Sequence, residues 1–268
     1  MKVIRHPITG QPFCMGRTRP AMRPQLRFAR YLDVVDLPAS PVAVDYASKA
    51  TTILFQILGN DQYGDCTVAG AFHVHGTILA NAGEPPDPDL SAANATNLYL
   101  QLTGGKDIGL DEQTVLNHWQ KDGLLPGGTR KIAGWMAVDA TNKAHCQLAA
   151  WLFENLYFGV ELPDAWINPM PSASGFLWDV AGAPDPDNGH CFVAPGYDAA
   201  GPKCATWGMV GNVSWEAVAK YAVDSASGEL YTVISADGIA KATARCPAGV
   251  DWAGLVADFA ALGGTATA

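Results

Sequence analysis

Hydrophobic and polar positions divide the chain into stretches with different periods. Over residues 1–50 apolar side chains are scattered and no helical period holds. Pro7, Pro12, Pro20, Pro24, Pro38 and Pro41 interrupt the segment, which reads as an extended arm. From about residue 51 compact elements begin. The spacing predicts a helix from about Cys66 to Asn81, stopped by Gly83. A second runs from Ser91, its N-cap, to Leu102, with Gly104–Gly105 after it. A third starts at Asp111 and ends before Gly123, with Val115, Leu116 and Trp119 on its apolar face. A fourth is predicted from Thr141 to Phe158, with Gly159 at its C-cap. The period then shifts toward 2. Strand-like segments are Tyr157–Leu162 (overlapping the end of that helix), His190–Tyr197, Lys203–Gly208 and Glu229–Ser235. A short helix, Ser214–Val223, interrupts them, and an amphipathic helix from Asp251 to Leu262 comes last. Helices first and strands second is the order of an α+β fold.

Composition narrows the class. Of 268 residues, 49% are hydrophobic, ample for a core and incompatible with a disordered chain. No internal repeat is found. No run approaches the length of a transmembrane helix, and the proline-broken N-terminus lacks the apolar region of a secretory signal. The six cysteines are widely and irregularly spaced. Without an export signal they read as free thiols in a reducing, cytoplasmic compartment. No C-x-x-C pair is present, so the common zinc patterns are missing. His73 and His75, two apart on a helix, point to different faces, so no metal site is expected. His145–Cys146 reads as a surface pair early in its helix. Neither Gly104–Gly105 nor Gly127–Gly128 is followed by the Lys-Ser/Thr of a phosphate loop, and no cofactor is expected.

Charge is unevenly spread. Lys2, Arg5, Arg17, Arg19, Arg23, Arg27 and Arg30 lie in the first 32 residues with no acid among them. The remainder carries ten basic and 26 acidic residues. A basic arm is thus fused to an acidic body, and that body argues against broad nucleic-acid binding.

Three stretches carry chemistry. Asn60-Asp61-Gln62-Tyr63-Gly64-Asp65-Cys66 is a polar loop that delivers a cysteine to the first turn of an apolar helix. Free N–H groups and the positive helix end there favour a thiolate, the nucleophilic form. A small buried cysteine starting a core helix would look the same. The second stretch is Asn188-Gly189-His190-Cys191-Phe192, continuing to Gly196-Tyr197-Asp198. It puts a histidine at the start of an apolar strand, where an imidazole could take the thiol proton and return it to a leaving group. The third, Ala205-Thr206-Trp207-Gly208, ends a strand on a tryptophan able to shield a hydrogen bond from water, or simply to fill a core.

Taken in order, these stretches resemble the papain-like cysteine peptidases, in a bacterial or phage branch akin to the papain and bacteriocin-processing groups. Gly64-Asp65-Cys66 stands for that family's Gly-Ser-Cys. Asn60, six residues before Cys66, stands for its oxyanion-hole glutamine. His190 with Gly196-Tyr197 and Thr206-Trp207-Gly208 stand for its His…Gly-Tyr and Ser-Trp-Gly. The resemblance covers roughly residues 50–235. It implies a two-lobed α+β fold: a helical left lobe over about 51–140 and an antiparallel β right lobe over about 141–268, preceded by the arm at 1–50. It implies Cys66 as nucleophile, His190 as base and then acid, Asn60 with the Cys66 N–H as oxyanion donors, and Gly64, Asp65 and Trp207 in support. Ala205 fills the slot of the asparagine that orients the family's imidazole. Thr206 is the substitute candidate, with Asn212 and Asp198 behind it.

Two functions follow from these residues. One is a peptidase or related amide hydrolase acting on a peptide or protein substrate. The other is an inactive papain-like scaffold used as a structural or binding module, for example a phage virion protein whose basic arm docks on a neighbouring subunit or a second copy. In either case the arm is expected to lie extended against the body or a neighbour, and high salt is expected to loosen it if charge holds it.

Overall fold

The computed structural model describes residues 2–33 and 36–264. The chain begins with a small antiparallel hairpin, β1 (Val3–Arg5) and β2 (Pro12–Cys14). A single 3-10 turn, Phe28–Tyr31, follows, and then β3 (Val44–Asp45). The arm therefore contains local structure between its extended stretches. Four helices come next: α1 (Thr51–Leu54), α2 (Cys66–Ala82), α3 (Ala92–Leu102) and α4 (Glu112–Lys121). Their ends obey the local signals. Gly83 closes α2 in the left-handed region, and the side chains of Ser91 and Asp111 accept from the N–H groups of Asn94 and Thr114.

The remaining chain builds most of a sheet and its outer helices. It runs through β4 (Gly134–Ala137), α5 (Lys143–Phe153), β5 (Leu156–Glu161), β6 (Leu177–Trp178), β7 (Gly189–Ala194) and β8 (Gly196–Tyr197). It continues with β9 (Lys203–Thr206), β10 (Met209–Val213), α6 (Trp215–Tyr221), β11 (Glu229–Ile234), α7 (Gly238–Arg245) and α8 (Trp252–Ala261). Seven strands form one sheet in the order β4-β11-β5-β7-β9-β10-β6. Its pairs are antiparallel except for β6, which joins β10 in parallel at one edge and departs from the all-antiparallel expectation. The separate pair β3/β8 ties the arm to the body.

Alternation along the strands sets the layers. Leu156, Phe158, Val160, Phe192 and Ala194 enter one core, with α5 to α8. Tyr157, Cys191, Val193 and Ala205 enter another, with α1 to α4. The sheet thus separates two cores, the α+β arrangement expected of two lobes. The arm is not peripheral to it: Ile4, Phe13, Met15, Leu26, Phe28 and Tyr31 belong to the first core, and Phe13 and Phe28 are essentially without solvent contact.

The fourth helix is shorter than its pattern predicts. It stops at Phe153, not Phe158, and Gly159 lies within β5 instead of capping it. The reason is local. Glu154 turns left-handed (φ 67°) and pairs with Arg245, while buried Asn155 donates to Phe153 O and Val233 O and accepts from Val233 N. Asn155 takes up a carbonyl at the helix end and commits the chain to the sheet. Cys146, read as a surface residue, is wholly buried, with its Sγ against Asp139 O. All six cysteines are free and buried. No helix among the described residues is long and apolar enough to cross a membrane.

Candidate active site

The three chemical stretches converge between the two cores. Cys66 opens α2, and His190 and Thr206 lie on β7 and β9. Together with Asn60, Ala205 and Trp207 they line a cavity of only about 10 Å³. His190 Nε2 lies 2.7 Å from Thr206 Oγ1, so Thr206 occupies the place the sequence left open beside the imidazole. Asn212 does not reach the imidazole; its amide donates to Asp198 Oδ1 and Gly201 O. His190 Nδ1 is buried with no hydrogen-bond partner among the described residues, so Cys66 and His190 share the cavity without bonding to each other. Burial pulls the His190 imidazole down to about 3. It is neutral. Thr206 Oγ1 takes up Nε2, and Nδ1 is the ring nitrogen left without a partner among the described residues.

Trp207 and Gly208 explain the Trp-Gly signal. They are the two loop residues between β9 and β10, with φ 51° and 72°. A tight antiparallel turn of this kind needs two left-handed residues, and glycine takes one of them without strain. The tryptophan takes the other, a position that costs a bulky residue energy. Its ring offsets that cost by packing: it stacks on His190 at 4.5 Å and touches Phe13 and Trp178. Its Nε1–H donates to Asn60 Oδ1 at 3.2 Å. Because an indole N–H can only donate, the oxygen end of the Asn60 amide is fixed toward Trp207. The Nδ2 end therefore faces the cleft, where it donates to Cys14 O (2.9 Å) and Tyr63 O (3.1 Å).

That Cys14 carbonyl belongs to the arm, and the arm fills the cleft. Cys14 N donates to Asn60 O, Leu110 N to Gly16 O, Thr18 N to Leu110 O and Arg17 N to Gly189 O. Residues 14–18 are thus held as an extended strand by both lobes. Gly16 is the only residue type that fits: a Cβ there would stand 1.9 Å from Gly64 O and 2.2 Å from Gly64 Cα. Gly64 supports the loop from the other side, its N–H donating to Asp107.

The consequence for Cys66 corrects the expectation of a thiolate. The side chain is 2% exposed, and burial pushes its thiol up to about 12, against weaker stabilisation by backbone hydrogen bonds from Cys191 and Gly16. The positive helix end is outweighed because the arm excludes water from the sulfur. Asp65 precedes it fully buried, caps nothing, and has no hydrogen-bond partner on either oxygen among the described residues. Burial holds its carboxyl well above the ordinary range.

Sequence reasoning missed the residues that hold the arm. Arg17, counted there only as charge, is buried. Its Nε donates to Glu112 Oε2 (3.3 Å), Nη2 lies 2.9 Å from Glu229 Oε1, and Nη1 donates to Ser227 O (2.7 Å). The available signal was a glycine followed by an arginine inside an arm without acids.

No family model matches the chain, and no curated protein matches it in sequence. Solved structures do match it in shape. Xylellain, a cysteine protease from Xylella fastidiosa, superposes with a TM-score of 0.59 at 13% identity, over 88% of this chain and 98% of its own. The proform of the ragweed pollen allergen Amb a 11, a cysteine protease, gives 0.52 at 15% identity, over 75% of this chain and 68% of that one. The cysteine protease and lectin-like domains of Cwp84, a surface-layer-associated protein of Clostridium difficile, give 0.50 at 12%, over 75% and 54%. With the convergence of Cys66, His190 and the Trp207 turn, these likenesses establish that the chain has a papain-like fold.

Proposed function

We propose that the protein is a papain-like thiol hydrolase of peptide or protein substrates, present here with its cleft closed by its own arm. The observation that carries this reading is the shared cavity of Cys66 and His190, with Thr206 on Nε2 and Nδ1 left unpaired. Once the arm leaves, water returns to the sulfur and the helix end favours the thiolate. The Cys66 thiol proton passes to His190 Nδ1, and sulfur attacks the substrate carbonyl carbon. Asn60 Nδ2 and the Cys66 N–H hold the oxyanion. His190 returns the proton to the departing amine, and water then hydrolyses the thioester. The Cys14 carbonyl, bonded to Asn60 Nδ2, marks where a substrate oxygen would sit.

The test uses the full chain with the arm loosened by Gly16→Ala, an epoxysuccinyl or iodoacetamide reagent, and a peptide panel. Labelling at Cys66 and cleavage that Cys66→Ala abolishes support the reading. A Cys66 no more reactive than Cys146 in that variant overturns it.

The arm itself favours a second reading, a papain-like scaffold kept shut as a binding module. Its aromatic residues are part of the core, so it is built to stay. Peptide cleavage by the unmodified chain would count against that reading.

A further inference from the structure

Among the ion pairs of the arm, that of Arg17 is set apart by burial. Lys2 with Asp164 and Asp185, Arg19 with Asp224, and Arg30 with Asp258 lie at the surface. The side chains of Arg17 and Glu112 are 1% and 0% exposed, and Glu229 is 18% exposed. The recess is made by both lobes: Glu112 opens α4, while Ser227 precedes β11 and Glu229 begins it. Its three acceptor groups lie against three different nitrogens of one guanidinium: Nε and Nη1 donate to Glu112 and Ser227, and Nη2 stands 2.9 Å from Glu229 as an ion pair. A planar fork can do this, and a single ammonium cannot reach all three.

Without a guanidinium, the recess would hold two carboxylates with no buried counter-charge. That is costly, so the recess discriminates strongly for a cation of this shape. Burial and the neighbouring Glu229 charge hold the Glu112 carboxyl above its ordinary range even with Arg17 in place. Around Arg17 the backbone is gripped as any extended peptide could be, through Leu110 N, Leu110 O and Gly189 O. Those bonds read no side chain. The Gly64 backbone and the acidic recess do.

We propose that the Glu112–Glu229 recess is a specificity pocket for an arginine side chain, so that extended peptides accepted by this cleft carry glycine then arginine where Gly16 and Arg17 now lie. Arg17 fills the pocket in cis. This rests on the hydrolase reading only where the peptide is called a substrate.

The experiment uses the full chain carrying Arg17→Ala, with ethylguanidinium as probe and ethylammonium as control, read by thermal unfolding. A saturable rise in Tm is expected with ethylguanidinium. It should exceed that with ethylammonium and be absent from the unmodified chain, whose recess is full. It should also be absent when Glu112→Gln and Glu229→Gln are added. No saturable rise, or the same rise without the two carboxylates, overturns the proposal. If Arg17→Ala does not fold, Arg17→Met, which keeps the packing of the stem, takes its place. If neither folds, recovery from urea is compared with and without the probe: recovery with it supports the pocket, and none overturns it.

A hexapeptide with the sequence of residues 13–18 should bind the variant about tenfold or more tightly than its norleucine analogue in place of arginine. Equal affinities overturn the pocket. Cys66 alkylation measured on the same sample separates the two ideas. Guanidinium binding with an inert Cys66 leaves the pocket standing and removes the hydrolase reading. A reactive Cys66 without guanidinium binding does the reverse.

Discussion

Replacing Gly16 by alanine is the sharpest way to ask whether the arm gates the thiol. The added Cβ would lie 1.9 Å from Gly64 O, and its nearest neighbours are all backbone, so no side chain can swing away. The arm has to lift at this point. Lifting it forfeits three bonds around Gly16: Leu110 N to Gly16 O, Thr18 N to Leu110 O, and Arg17 N to Gly189 O. At roughly 1 kcal/mol net for each, the docked state loses about 3 kcal/mol, and the lifted fraction grows on the order of a hundredfold. The assay is iodoacetamide alkylation at neutral pH, mapped cysteine by cysteine. Cys66 should alkylate about a hundredfold faster in Gly16→Ala than in the unmodified chain. Cys146 and Cys204, both wholly buried, should stay protected. Unchanged Cys66 reactivity would refute gating by the arm. Equal acceleration of all six cysteines would refute it too, because the substitution would then be unfolding the chain instead of lifting one strand.

Four further outcomes are expected. Thr206→Val strips His190 Nε2 of its partner in a buried site and should cost about 1–3 kcal/mol in urea unfolding; an unchanged midpoint would mean the ring is held otherwise. His190 has its folded value depressed to about 3 from 6.5, so its contribution is present above about 6.5 and is lost as pH falls toward 3. His190→Gln should flatten that acid limb of a stability–pH curve. Burial raises the folded Glu112 carboxyl above its ordinary 4.5 although Arg17 opposes the shift, so part of its contribution is lost as pH rises above 4.5; Glu112→Gln should flatten that side of the curve. Because the arm is held by buried aromatics and a buried ion pair, its proteolysis between residues 14 and 18 should barely respond to added salt, and steep acceleration by salt would point to its exposed charges instead.

What was legible of the candidate site came through the resemblance. Cys66 stands where an apolar helix starts, and Thr206-Trp207-Gly208 matches the family's Ser-Trp-Gly. The turn that Trp207 and Gly208 form was not legible, since Lys203–Gly208 reads as one strand. The end of the fourth helix was not legible: Leu148 to Phe153 and Leu156 to Val160 are both apolar, and what divides them is Asn155 reaching β11, far along the chain. The closed cleft was illegible for the same reason. Nothing local to Gly16-Arg17 says that Gly64, Leu110, Glu112 and Glu229 wait for it. Those contacts span from about 50 to more than 200 positions. The thiolate expectation failed because helix position is local while dehydration of the sulfur is not.

The membership of Phe13, Phe28 and Tyr31 in the main core gives the arm a kinetic meaning. Freeing the cleft is a sub-global unfolding event, with an opening equilibrium of its own. If opening costs on the order of 5 kcal/mol, only about one molecule in several thousand is open at any instant, and every apparent affinity or alkylation rate is divided by that number. Amide exchange at Gly16, Arg17 and Thr18 would then report the same free energy as Cys66 labelling. Any partner that captured the aromatic residues of the arm would uncover Cys66 without touching it.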